Sequence, residues 1–171
     1  MAVFSAISFI LYLPIFEIPL FVGTPYKLDF SNVFVLLGGF MYGPIGGVII
    51  LLIKELLHIP IGSSGGVGEL ANFIVGLSFI LFPTILYRFK KGLKVVIFSL
   101  IVACGLQIVV GVLANRFILL PFFGAGAMFK TWFWYIVILN AVKSVSCSLF
   151  SIFFYKKLSY LFKKIKLQEK E

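Results

Sequence analysis

Glu69 and Asn72 lie three residues apart in Gly66-Val67-Gly68-Glu69-Leu70-Ala71-Asn72-Phe73, a carboxylate and a carboxamide at the head of a long apolar run. In lipid both groups are costly, so both must face protein, water or a ligand. Comparable groups recur in other apolar runs: Asn115, and then Asn140 with Lys143, whose i, i+3 spacing puts them on one helix face. A charge at mid-membrane depth costs about 2.5–3.5 kcal/mol on insertion scales, so Lys143 requires an interior partner. Each carboxamide pairs donors with an acceptor, and the ammonium adds three donors. A few such groups in an apolar surround are how a small molecule is bound and oriented. The competing reading is an interhelical hydrogen-bond network, worth only about 0.6 kcal/mol per contact. Four polar groups converging from three helices favour a binding site.

Other chemistries lack their residues. No GxxxxGK[ST] loop is present to cradle nucleotide phosphates. Glu17, Glu55 and Glu69 fall near helix ends, so no proton relay crosses the bilayer, and no inverted repeat suggests a self-powered transporter. A membrane enzyme using Glu17, Asp29 or Glu69 would need paired carboxylates around a reaction centre, and the spacing offers none. Cys104 and Cys147 sit in apolar runs as small hydrophobes without a CxxC pair, and the lone His58 reads as structural. No metal site or cofactor is expected.

The elements that must position these groups are membrane helices. The 171 residues are 61% hydrophobic and only 12% charged, about half the usual charged share. Mean hydropathy is +1.14. Apolar runs do not alternate as barrel strands would, so the expected fold is an all-α membrane protein in one domain, 1–171. Six transmembrane helices fit: Ala2 to Phe21, Asn32 to Tyr42, Ile45 to Ile59, Val67 to Tyr87, Val95 to Pro121 and Thr131 to Tyr155. Pro14 and Pro19 are expected to bend or end the first, and Gly43-Pro44 breaks the second from the third.

The net charge of +9 is not a nucleic-acid signature. Arg88, Lys90, Lys91 and Lys94 fill one connection, and Lys156, Lys157, Lys163, Lys164, Lys166 and Lys170 fill the C-terminal end. Such clusters mark cytoplasmic flanks facing membrane lipid, which puts both termini in the cytoplasm. The tail from about 156 is expected at the membrane surface. The opposite face then receives the connection 22–31, the Ser/Gly loop before Gly66, and Asn115 to Lys130.

Small residues recur every fourth position at Ala2 and Ala6 and at Gly39, Gly43 and Gly47, a spacing that lets backbones approach within a chain or against a partner. Trp132 and Trp134 suit an interfacial belt.

Together these residues resemble the substrate-binding S components of energy-coupling factor (ECF) vitamin transporters, of the riboflavin-binding type. The resemblance covers nearly the whole chain. It is carried by Gly68-Glu69-Leu70-Ala71-Asn72-Phe73, with support from Lys27-Leu28-Asp29, Gly38-Gly39-Phe40 before Gly43-Pro44, and Asn115 with Leu119-Leu120-Pro121. It implies a non-enzymatic protein of the prokaryotic plasma membrane that captures riboflavin from outside, with flavin mononucleotide a second candidate. It further implies association with a transmembrane T component and two ATPase subunits. Asn72, Asn115, Asn140 and Lys143 match the flavin-contacting positions of that type, and Ala2 and Ala6 match its partner-contacting stripe. Asp29 would reach the ribityl hydroxyls or close over the site. An S component for thiamine or biotin remains the nearest alternative, ahead of a membrane enzyme or a structural adaptor.

Overall fold

Lipid offers no partner to a free amide or carbonyl, so apolar runs of this length fold as helices that satisfy their own backbone. The computed structural model describes residues 1–21, 27–62 and 64–168, from 158 onward as backbone only. The chain is an all-α membrane protein. Helix α1 spans Ala2–Leu11, α2 Ser31–His58, α3 Val67–Phe89, α4 Leu93–Ala114, α5 Leu120–Phe122 and α6 Phe129–Gln168. A π-helical turn, Asn115–Leu119, joins α4 to α5, so Leu93–Phe122 forms one apolar rod. Among the described residues, four helical stretches have the length and composition to cross a bilayer: Ser31–His58, Val67–Phe89, Leu93–Phe122 and Gly126–Lys157.

The first of these is folded back on itself. Gly43 leaves the helical region (φ 83°, ψ 177°), a conformation open to glycine at little cost, and Pro44 removes the next amide donor. In a straight helix Ser31 and Lys54 would stand about 34 Å apart. Instead Lys54 Nζ donates to Ser31 Oγ at 3.0 Å and to Asn32 Oδ1 at 3.1 Å. The arms 31–42 and 44–58 therefore run antiparallel, as the Gly43-Pro44 break leads one to expect. Gly39 and Gly47 make the close approach between them; a Cβ on Gly47 would sit 3.1 Å from the Gly39 Cα. Gly43, expected in the same stripe, is no close-approach point, since a Cβ there would meet nothing described within 4 Å, and it serves as the break. Gly47→Leu overpacks the hairpin at a cost of about 1–3 kcal/mol and is expected to lower the melting temperature by several degrees. Gly105→Leu, at a site with open space, is the control in circular-dichroism melts in detergent.

The first helix is shorter than the expected span of Ala2 to Phe21. Its helix ends at Leu11, because Pro14 disfavours the helical region for Leu13, and the chain turns through Leu13 and Phe16. Ile18–Pro19 (β1) then pairs antiparallel with Lys27–Leu28 (β2), Ile18 opposite Leu28. Residues 22–26 of that connection, with Gly23 and Pro25, lie outside the described residues, as do Ser63, Lys170 and the side chains of Lys163, Lys164 and Lys166.

Helix α2 packs against α1, α3 and α6, and α4 lies against α3 and α6. Val35, Leu36, Ile50, Leu51, Phe79 and Leu100 fill the interior. Trp134 and Phe117 are each 67% exposed, as lipid-facing side chains are, while Trp132 packs on the buried cluster of Leu120, Ile136 and Leu139. On α1, Ser5 and Ser8 are buried and Ala2 and Ala6 face outward.

Candidate ligand-binding site

At one end of the bundle the segment after α1, the start of α3, the π turn and α6 leave a cavity of about 400 Å³. That lies within the range of roughly 300–1,000 Å³ typical of small-molecule sites. Asp29, Asn72, Asn115, Asn140 and Lys143 all line it, although 114 residues separate the outermost two. The wall is mixed, with Ala71, Val75, Leu119, Phe123 and Leu139 between the polar groups.

Lys143 has the interior partner its depth requires: Nζ donates to Asp29 Oδ2 at 2.6 Å, and both side chains are nearly fully buried. Asp29 Oδ1 accepts from the Ser31 backbone amide at 3.1 Å and from the Ser31 hydroxyl. Burial alone would raise the Asp29 carboxyl, but the Lys143 and Lys54 ammonium groups and these hydrogen bonds outweigh it, bringing the pKa down to about 2. Asp29 is thus an anion that seats a cation at the cavity wall, rather than a free side chain of an open loop.

Two of the asparagines are anchored by the helical backbone that precedes them. Asn140 Nδ2 donates to the Ile136 carbonyl at 2.9 Å and Asn115 Nδ2 to the Gly111 carbonyl at 2.8 Å. The π turn starting at Asn115 is a device often found at functional sites, because one extra residue re-aims a side chain. Asn72 Nδ2 donates to the Tyr12 hydroxyl. Glu69 is engaged by protein on both oxygens: Oε1 stands 2.9 Å from His58 Nδ1, and Oε2 accepts from Ser64 Oγ at 2.6 Å. Ser64 Oγ in turn accepts the Gly68 amide at 3.1 Å, tying the glycine-rich turn to the start of α3.

Several groups at the site were not legible in the sequence. Tyr12, on the segment that follows α1, stacks on His58 with ring centroids 3.9 Å apart, and both line the cavity. Lys54 Nζ lies 4.6 Å above the Tyr12 ring and 2.9 Å from Glu55 Oε1. Lys54 and Glu55 are expected near the outer end of a helix; the α2 hairpin instead buries both in the bundle. At the cavity mouth Lys27 pairs with Glu17 at 2.7 Å, linking β2 to the segment before β1.

A bundle of apolar helices that keeps a polar-lined cavity at one end defines a membrane-embedded binding protein. The chain belongs to the ECF transporter substrate-specific components, whose family model matches residues 1–155. It is 35% identical over 170 residues to the riboflavin transporter RibU of Staphylococcus aureus (strain TCH60), covering 94% of this chain and 89% of that one. It is 34% identical over 134 residues to the riboflavin transporter FmnP of Bacillus subtilis (strain 168), covering 75% of this chain and 65% of that one. A solved structure described as the S component of a bacterial ECF transporter superposes with a TM-score of 0.82 at 34% identity, covering 95% and 94% of the two chains. The protein is accordingly a multi-pass cell-membrane transporter component and not an enzyme.

Proposed function

We propose that this protein is the riboflavin-binding S component of an ECF importer and that the cavity between α3, the π turn and α6 holds the vitamin. The observation that carries the reading is the meeting of Asp29, Asn72, Asn115, Asn140 and Lys143 around one cavity, in a chain similar to riboflavin transporters over most of its length. The flavin carries an edge of two carbonyl acceptors and one N–H donor on an apolar ring system. Carboxamides and an ammonium complement that edge, and leaving a buried polar group unpaired costs about 1–3 kcal/mol. The apolar wall of Val75, Leu119 and Leu139 suits the rings. Asp29 acts by holding Lys143 in place, and the ribityl chain extends toward Lys27 and Glu17.

Flavin mononucleotide is the weaker ligand in this account. Each cation at the cavity already has a carboxylate partner, Lys143 with Asp29 and Lys27 with Glu17, so a phosphate would have to displace one. Thiamine and biotin lack the flavin's edge. Protein purified in mild detergent from riboflavin-fed cells is expected to be yellow; a colourless preparation that carries thiamine or biotin would overturn the ligand assignment.

Six helical segments cross the membrane in this proposal, counting α1 and both arms of α2, with both termini and the basic connection in the cytoplasm. The two arms and α1 are short for about 30 Å of hydrocarbon and cross with the shelter of their neighbours. The cavity then opens outward. Transport is driven by a T component and two ATPase subunits, met by the outward face of α1. Ala2→Leu with Ala6→Leu is expected to reduce co-purification with the T component several-fold while riboflavin titrates normally. Intact assembly would remove α1 from the contact.

A further inference from the structure

We propose a second site, at the opposite end of the bundle, for the phosphate headgroup of an anionic phospholipid. A cavity of about 360 Å³ opens where the tip of the α2 hairpin meets the end of α3, between Phe40, Tyr42, Gly43, Tyr87, Arg88 and Lys91. Asn72 and Arg88 are sixteen residues apart on α3, so the two cavities stand about 24 Å apart along that helix. The second is a separate site.

Its charge is uncompensated. Arg88 and Lys91 are exposed, and neither has a carboxylate partner among the described residues. Every described acid sits at the other end: Glu17, Asp29 and Glu69 line the first cavity, and Glu55 lies beside Lys54 next to it. Two cations over a cavity with no anion of its own suit a phosphate, which arginine can hold through two parallel hydrogen bonds.

The walls favour an amphiphile over a soluble phosphate. Phe40 packs on Tyr87 with ring centroids 4.9 Å apart, and Tyr87 Oη lies 3.0 Å from Tyr155 Oη, so the aromatic wall is fixed from behind by α6. Met41, which lines the cavity, and Ile45, Ile85 and Phe89, each within two residues of a lining residue in the chain, are exposed to between 41% and 79%. An acyl chain attached to the bound headgroup would lie along these side chains. A free phosphate ester would leave them bare.

The test uses the purified full chain in detergent with equal amounts of phosphatidylglycerol and phosphatidylcholine, followed by washing and mass-spectrometric counting of retained lipid. The expected result is selective retention of phosphatidylglycerol. Arg88→Gln with Lys91→Gln is expected to lower that retention roughly ten-fold, each cation near an anionic headgroup being worth a several-fold factor. Lys94→Gln, in the same connection but outside the cavity, is expected to retain the lipid, and riboflavin titration of each variant reports that it is folded. Lys91→Gln alone serves if the double variant does not purify. An equal loss with Lys94→Gln would reduce the effect to diffuse charge and overturn the site. Displacement of the lipid by soluble glycerol phosphate would overturn the lipid assignment. Loss of T-component assembly in the double variant, with lipid retention unchanged, would make the cavity a protein-docking surface and overturn it equally.

Discussion

Lys143→Met is expected to abolish measurable riboflavin binding and also to destabilise the protein. The ammonium does two things at once: it faces the cavity, and it neutralises an Asp29 carboxylate that is 98% buried. Removing one partner of a buried ion pair costs about 3–5 kcal/mol, because the other charge is left without compensation. Ser31 would still donate to Asp29 and the Lys54 charge would still act on it, but Lys54 donates to Ser31 and Asn32 and pairs with Glu55, so the carboxylate loses its direct ion pair. Asp29→Asn added to Lys143→Met removes the stranded charge and is expected to restore most of the melting temperature without restoring binding. That split separates the two roles. A single variant that binds riboflavin normally would contradict the first role, and a double variant as unstable as the single would contradict the second.

Gly111→Ala is expected to weaken riboflavin binding at least ten-fold, a loss of about 1.4 kcal/mol, although the residue does not line the cavity. Its carbonyl accepts from Asn115, and the space where its side chain would be is filled by Asn140. A Cβ there would stand 2.5 Å from Asn140 Cγ and Oδ1, so the carboxamide must leave its position. Helix propensity acts in the opposite direction, since alanine is favoured over glycine by roughly 0.5–1 kcal/mol in a helix interior. Lost binding therefore would not follow from a weaker helix. Gly105→Ala, in open space on the same helix, is expected to bind as the parent does. In an Asn140→Ala background the Gly111 substitution is expected to cost little more. Additive losses in that double variant would show that Gly111 does not act through Asn140.

The parts of the site legible in the sequence are those that a membrane makes expensive. Lys143 and Asn140 stand out in an apolar run, and their need for an interior setting follows from that alone. The identity of the partner does not follow, because Asp29 is 114 residues away and belongs to a connection whose course depends on β1 pairing with β2. The hairpin at Gly43 could be read from a glycine and a proline in succession. Its consequence, the burial of Lys54 and Glu55 against Asn32 and Tyr12, could not, since it depends on how the two arms align. Tyr12 and His58 were hidden for a different reason. One tyrosine among thirty aromatic residues carries no signal, and the stacking appears only once α1 ends at Leu11 and the chain turns.

Riboflavin titrated into the purified chain, with flavin emission followed, decides whether the cavity holds the vitamin. Quenching is expected to saturate at one riboflavin per chain, to resist excess thiamine or biotin, and to need at least ten-fold more riboflavin in Asn140→Ala with the fold retained. Flavin emission unchanged by stoichiometric protein, or a titration curve unchanged in Asn140→Ala, would contradict that assignment.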